Sequence, residues 1–452
     1  MKKKLLNVFL ISLIIISFIY ESKCEIVFVF EHFRHGARSS VYIDKHNIDI
    51  YDIKWIGDGE LTPVGMRMLY LIGVHIRNKY SNIINNLTSS NDLLVYSTDL
   101  NRTIVSAEAQ LLGMFPPKKG DIILDEHIKY SYPPNNIPIE VQEEINKLDK
   151  ISIPSKIRAI PINFFHKEKK PYLLTEEDEC PRTKLIKQQN YKKKDVQDFI
   201  KNFREKYSDK WMEYFHIKDK SIFENYYFLL EVTDHFISSY IHKRKNLKFF
   251  EDYGINLKEY YEECIEFKNL SMYEIETTSE IGIMAASPIF KEMIYYMDAI
   301  IDSKKNKKKE NKKIPKFIMY SGHDYIIAAV QLYLNNVFNT PCFYPGFAAN
   351  QFFELHMINN NFFVQYLYNG ELVLNVSYVE FKKKIMYKIL TMAEIIDFCK
   401  VEQYSFVDYL LYFVIGFSVI SIGYAIIKGN MGSNKKNRNK YQFSKNYFLK
   451  EI

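Results

Sequence analysis

Several familiar catalytic and binding signatures are missing from these 452 residues. No Walker-type glycine loop occurs, which removes the backbone cradle of the nucleotide hydrolases. No glycine–x–serine–x–glycine elbow exposes a nucleophilic serine. The five cysteines include no pair at zinc-finger spacing, no cluster of metal ligands stands out, and no internal repeat is apparent. A bound metal or organic cofactor is therefore not expected. Glycine (16) and proline (14) are scarce while Tyr, Phe, Ile, Asn and Lys abound, a compositional bias without functional weight. What is present, 47% hydrophobic and 25% charged residues, allows a large core and one or two domains. The net charge of +7 comes in blocks: Lys2–Lys4, Lys192–Lys194, the run from Lys304 to Lys313, and the tail after Lys428. A targeting segment, solvated loops and a membrane-flanking tail account for them, so nucleic acid is not expected as a partner.

Both ends carry addresses. Lys2-Lys3-Lys4, an apolar stretch from Leu5 to Tyr20, and Ser22-Lys23-Cys24 make the pattern of a cleaved signal peptide over 1–24. A second, uncharged apolar run, 409–427, is long enough to cross a bilayer. Lysines and an arginine crowd the tail, 428–452, which the positive-inside rule places in the cytosol. Together these signals predict a type I membrane protein, anchored by one C-terminal helix, with the rest lumenal or extracellular. Without Cys24, four cysteines are left: Cys180, Cys264, Cys342 and Cys399. In an exported chain they read as two disulfides, with three pairings open. Asn86, Asn269 and Asn375 lie in sequons and are candidate glycan sites.

The stretch Phe33-Arg34-His35-Gly36-Ala37-Arg38 follows an apolar run, Ile26 to Phe30, that reads as a buried strand of a parallel sheet. A histidine between two arginines suits attack on phosphorus: the imidazole as nucleophile, the guanidiniums as oxygen clamps, and Gly36 admitting close backbone approach. Thr62 and Pro63 then open an amphipathic helix as N-cap and first residue. Leu93 to Tyr96 is a second buried run, and Arg102 lies just past it at a helix start, where backbone N–H groups favour an anion. From about Gly120 to Tyr273 the sheet pattern fades into helical periodicity, read as a cap inserted over 120–273. The sheet resumes at Phe317-Ile318-Met319-Tyr320, followed by His323-Asp324 and another helix. Phe352 to Leu355 and Phe362 to Tyr368 suggest a hairpin around Asn359-Asn360-Asn361. Beyond them a helix reaches Cys399.

Three strand–loop–helix units thus carry Arg34, His35 and Arg38, then Arg102, then His323 and Asp324 at corresponding places. In an open α/β sheet such positions converge beyond the carboxyl ends of the parallel strands. The expected cup holds three arginines, two histidines and one carboxyl group. His32, on the strand, is read as structural.

The segments Arg34-His35-Gly36-Ala37-Arg38, Gly59-Glu60-Leu61-Thr62-Pro63-Val64-Gly65-Met66, Ser97-Thr98-Asp99 with Arg102-Thr103, and His323-Asp324 resemble, in order, the motifs of the histidine acid phosphatases. That family is branch 2 of the histidine phosphatase superfamily. Cys180-Pro181-Arg182 is similar to its prostatic and lysosomal members. The resemblance implies a phosphoglycerate-mutase-like α/β core, 25–119 and 274–400, with a mostly parallel sheet flanked by helices. It implies a phosphohistidine on His35, oxygens held by Arg34, Arg38, Arg102 and His323, and Asp324 as proton donor, acting on small phosphate monoesters in a lysosome-like compartment or at the cell surface. It also implies Cys180 paired with Cys399 and Cys264 with Cys342. The family's loop usually continues arginine–x–proline, whereas here Arg38 is followed by Ser39-Ser40. Ala285-Ala286-Ser287-Pro288 stands where a glycine-rich turn is common. A glycan at Asn101 would block the cup, so that sequon is expected to be unmodified. A phytase or inositol-polyphosphate phosphatase, a lysophosphatidate phosphatase, a catalytically inactive receptor-like ectodomain and a homodimeric state are left open.

Overall fold

The computed structural model describes residues 24–41, 57–87, 92–117, 122–131, 143, 147–164, 180–306 and 314–401. Of the signal peptide expected over 1–24, all but Cys24 lies outside the described residues, as do the expected span 409–427 and the tail 428–452. Among the described residues no helix is long and apolar enough to cross a membrane.

The main elements in chain order are β1 (Cys24–Arg34), α1 (Pro63–Lys79), β2 (Leu93–Ser97), α2 (Asn101–Met114), β3 (Asn163–Phe164), α3 (Pro181–Tyr191), α4 (Lys194–Tyr214), α5 (Tyr226–Ile241), α6 (Leu257–Leu270), α7 (Ser279–Asn306), β4 (Phe317–Gly322), α8 (Asp324–Phe338), β5 (Asn350–Ile358), β6 (Asn361–Tyr368), β7 (Glu371–Ser377), α9 (Tyr378–Lys388) and α10 (Met392–Cys399). The sheet runs β3-β2-β4-β1-β5-β6-β7. β1 pairs parallel to β4 and antiparallel to β5; β2 pairs parallel to β4 and β3; β5, β6 and β7 form an antiparallel meander.

β1 and β4 read as unbroken apolar runs because helices cover both faces. Phe28 and Phe30 pack with Ile318, Tyr320 and Phe353 under α7, α8 and α9. Val29 and Phe33 point the other way, onto α1 and α2 with Val95 and Met319. Thr62 caps α1 by accepting from Gly65 N, with Pro63 at the first helical position. A separate aromatic cluster joins α4, α5 and α6, where Trp211 Nε1 donates to the Tyr260 hydroxyl over 2.6 Å.

The architecture corrects four expectations. The sheet is mixed rather than mostly parallel, because the meander supplies antiparallel pairings equal in number to the parallel ones. β7 was not expected: it is an edge strand with no fully buried residue, so little apolar alternation marks it. β3 brings a two-residue strand into a stretch read as helical. Finally, Cys180 is bonded to Cys399, but Cys264 and Cys342 are free thiols. Cys264 is buried on α6 beside Tyr260, whereas Cys342 lies after α8 near Tyr273 and Tyr366, so each thiol is packed among different neighbours. Ala285-Ala286-Ser287-Pro288 falls inside α7. There Ser287 donates to Ile283 O at 2.6 Å and accepts from Leu390 N at 3.0 Å, tying α7 to the segment before α10.

Candidate active site

Register brings the site together. Arg34 ends β1 opposite Gly322, the last residue of β4, and Ser97 ends β2 opposite Ser321. The loop after β1 is then held from three sides. His35 N donates to Gly322 O (3.0 Å), Ala348 N donates to His35 O (3.0 Å), and Gly36 N donates to Ser106 Oγ (3.2 Å). A side chain at Gly36 would put its Cβ 2.5 Å from Gly65 O, so the loop can lie on the start of α1 only with glycine at 36. Ser39 staples the far side: its N–H donates to Glu60 O (3.0 Å), its hydroxyl donates to Gly57 O, and Glu60 N donates to its Oγ (2.9 Å). These bonds fix the loop one residue before Ser40, the position at which the related family has its proline.

His35 is 3% exposed. Its Nδ1 lies 2.9 Å from Gly36 O; a carbonyl can only accept, so Nδ1 carries the proton and Nε2 keeps its lone pair. Burial first, then Arg34, Arg38, His323 and Arg102, hold its pKa well below the usual histidine value. That shift favours the neutral imidazole. His323 lies with its ring 5.7 Å from that of His35, and its Nε2 is 3.0 Å from Thr98 Oγ1. Burial and then Arg102 bring it down to about 3, against the pull of Asp324.

The two flanking arginines spend their outer nitrogens on protein. Arg34 donates from Nη1 to Pro345 O (2.8 Å) and pairs through Nη2 with Asp324 Oδ2 (2.7 Å). Arg38 donates from both Nη atoms to the two oxygens of Asp234 (3.0 and 2.9 Å). Phe347 underlies both guanidiniums, 4.6 Å from Arg34 Cζ and 5.6 Å from Arg38 Cζ. Each arginine keeps a buried Nε without a hydrogen-bond partner among the described residues. A buried donor left unsatisfied costs about 1–3 kcal/mol, so the pair marks a place prepared for an acceptor.

Asp324 opens α8, and its Oδ1 accepts from Tyr325 N at 3.0 Å. Burial favours its neutral form, but Arg34, Lys268, His323 and Arg38 outweigh it and hold the carboxyl below its usual range. Arg102, in the first turn of α2, lines the same cleft of about 430 Å³ with Arg34, His35, Arg38, His323 and Asp324. All six residues expected to meet therefore do so. His32 points elsewhere, accepting from Gln351 Nε2 at 3.0 Å. Among the described residues no group of His, Cys, Asp and Glu could hold a metal ion.

The sequence reading missed Asp234, Lys268, Tyr344 and Phe347, which come from distant elements. One signal was there: Asp234-His235 interrupts the apolar helix α5, and both are buried. Of the sequon residues, Asn86, Asn269 and Asn375 are exposed. The Nδ2 of Asn101, the atom a glycan would use, donates to Glu60 Oε1 at 3.0 Å.

The geometry agrees with what the chain is similar to. Prostatic acid phosphatase of Rattus norvegicus is 26% identical over 351 residues, 77% of this chain and 79% of that protein. Lysosomal acid phosphatase of Xenopus laevis is 31% identical over 137 residues, 30% of this chain and 31% of that protein. In fold the chain is similar to a Hafnia alvei phytase, with a TM-score of 0.54 at 10% identity over 84% of this chain and 99% of the other. The family model described as histidine phosphatase superfamily (branch 2) matches residues 25–369. With the acid phosphatases as its named relatives and that match spanning every strand-end residue of the cleft, this chain belongs to branch 2 of the histidine phosphatase superfamily.

Proposed function

We propose that this phosphatase-family chain hydrolyses phosphate monoesters through a phosphohistidine on His35. One observation carries the reading: the His35 imidazole, its Nδ1 held by Gly36 O so that Nε2 keeps its lone pair, sits between two arginines whose buried Nε–H groups have no hydrogen-bond acceptor among the described residues. Phosphoryl transfer asks the protein for positioning and for charge on the equatorial oxygens, and Arg34, Arg38 and Arg102 supply both. His35 Nε2 attacks phosphorus as the ester P–O bond breaks. The leaving oxygen takes a proton from Asp324. Water then attacks phosphorus as the P–N bond breaks and its electron pair returns to His35 Nε2, Asp324 accepts the water's proton, and phosphate leaves.

Asp324 must be protonated for the first half, yet Arg34 holds it ionised in the unliganded cleft. A phosphate dianion on Arg34 would compete for that guanidinium and raise the Asp324 pKa. Acidic pH assists the same step, and the strongly depressed His35 pKa keeps the nucleophile available there. The leaving group would face Leu230, Met272 and Tyr325, with Lys187, Lys268 and Glu276 alongside. We take the helices between Pro181 and Leu270 as a cap over the cleft.

The anchoring is part of the proposal: residues 1–24 as a leader, the uncharged run 409–427 as one membrane span, and the basic tail 428–452 in the cytosol. Asn86, Asn269 and Asn375 are proposed as glycan acceptors. The test is hydrolysis of a phosphorus-labelled aryl phosphate by the purified lumenal chain, with alkaline-quench trapping of phosphohistidine, whose P–N bond survives base but not acid. Wild type should turn over and trap label; His35→Ala should do neither. Equal turnover by both would end the proposal. Phytate and lysophosphatidate in parallel assays then sort leaving groups.

A further inference from the structure

Arg38 is asked to bind an anion, yet its fork is already committed. Nη1 and Nη2 reach Asp234 Oδ2 and Oδ1, and Nη1 also donates to Ser39 O at 2.8 Å. Asp234 belongs to the cap helix α5 and is 3% exposed. Its Oδ2 also accepts from Val41 N at 3.4 Å. The same helix touches the loop a second time. His242, at the C-cap of α5, lies with Nε2 2.7 Å from Thr62 Oγ1, which is 3.0 Å from Ala37 O. Asp234 and His242 are eight positions apart, about two helical turns, so both side chains lie on one face. Ser238, halfway between them, accepts from His242 Nδ1 at 2.7 Å.

A structural ion pair would not need this form. Apolar replacements of a buried pair are often as stable, so stability alone does not call for a charge here. What the fork does achieve is orientation: with both Nη atoms fixed, the planar guanidinium can present its Nε–H in one direction only. We propose that α5 is a positioning element for phosphate, with Asp234 aiming the Arg38 Nε–H into the cleft and His242, through Thr62, steadying the loop that carries it. The inference rests on the phosphatase reading but makes a separate claim. The ordinary family residues lie at strand ends, whereas Asp234 and His242 act from the cap, and Asp234 reaches the cleft wall with both carboxylate oxygens bonded to Arg38. Burial opposes the charge of Asp234, but Arg38, Lys268 and Arg34 hold its pKa at about 2, so the clamp persists throughout acidic working conditions.

The experiment compares wild type, Asp234→Asn, Arg38→Gln and the double variant, with thermal melting as a check on folding. Readouts are kcat and KM for an aryl phosphate and the calorimetric Kd of inorganic phosphate, which needs no turnover. Asp234→Asn should raise KM and the phosphate Kd together and lower kcat/KM by about 10²-fold, the size of effect that misplacing a binding group brings. The double variant should be no worse than Arg38→Gln alone, because Asp234 acts only through Arg38. Unchanged KM and phosphate Kd in Asp234→Asn, or penalties that multiply in the double variant, would overturn the proposal. Should Asp234→Asn fail to fold, Asp234→Glu keeps the charge but displaces the fork by a methylene. Wild-type phosphate affinity in that variant would equally overturn it. A wild-type chain that binds phosphate without turnover would sink the hydrolase reading instead, and leave the Kd comparison standing.

Discussion

Glu31 and Asp234 are carboxyl groups that water hardly reaches, 0% and 3% exposed, and they end in opposite protonation states. Glu31 points from β1 toward α2, where Gln110 Nε2 donates to both its oxygens at 2.9 and 2.7 Å. Burial pushes its pKa up to about 8, and one amide cannot reverse that. Asp234 suffers the same burial but meets the Arg38 fork, with Lys268 and Arg34 nearby, and stays ionised. Glu31, inside the sheet with only an amide opposite, is thus kept neutral, while Asp234 at the cleft is kept charged by the cations around it. His32 and His35 share a direction of shift but differ in its causes. Burial alone brings His32 to about 3, whereas His35 is depressed by burial and then by the arginines of the cleft. Desolvation is common to both regions; what differs is the supply of cations.

The sharpest way to break this contrast is to exchange the two histidines' fates. His35→Ala should cost about 10⁴-fold or more in kcat for an aryl phosphate. His32→Gln, only three positions earlier, should leave kcat within about tenfold and show its effect in the melting temperature instead. Comparable kinetic losses from both would erase the distinction between strand interior and strand end. Next in size, Asp324→Asn should lower kcat by about 10²–10⁴-fold for an alkyl phosphate. The loss should be smaller for a nitrophenyl ester, whose leaving group needs no proton. A uniform loss would remove Asp324 as the acid.

The neutral side is tested by pH. A folded-state pKa raised from 4.5 to about 8 means that Glu31 binds more protons when folded. Its contribution is present below pH 4.5 and is lost as pH rises toward 8, by up to about 4 kcal/mol. Urea unfolding at pH 5 and pH 8 should show the decline in wild type, and Glu31→Gln should flatten it. The charged side has the opposite sign and a smaller size. Asp234, lowered from 3.8 to about 2, contributes above pH 4 and loses about 2 kcal/mol as pH falls through its folded value. Unfolding curves at pH 4 and pH 2.5, with Asp234→Asn as reference, check the difference; parallel curves would contradict it.

The same contrast explains what could be read before any fold was known. β1, β2 and β4 were legible because strands covered on both faces are nearly continuous apolar runs. Arg34, His35, Arg38, Arg102, His323 and Asp324 were legible because each directly follows such a run. β7 was not, since an edge strand with exposed faces has no strong alternation. Asp234 and Phe347 were not, because their partners lie 196 residues away in one case and across a loop after α8 in the other. The cysteines make the point most plainly. Their number pointed to two bridges, but only Cys180 and Cys399 come within 4.5 Å at Cα.

The sequence by itself determined which local segments end in chemistry: strand, then arginine or histidine, then helix, a pattern that needs only nearest neighbours along the chain. Tertiary structure alone decided the charge states and the aim of those groups. A carboxyl group's proton depends on whether a guanidinium or an amide stands opposite, and that neighbour is supplied by folding rather than by adjacency in the chain.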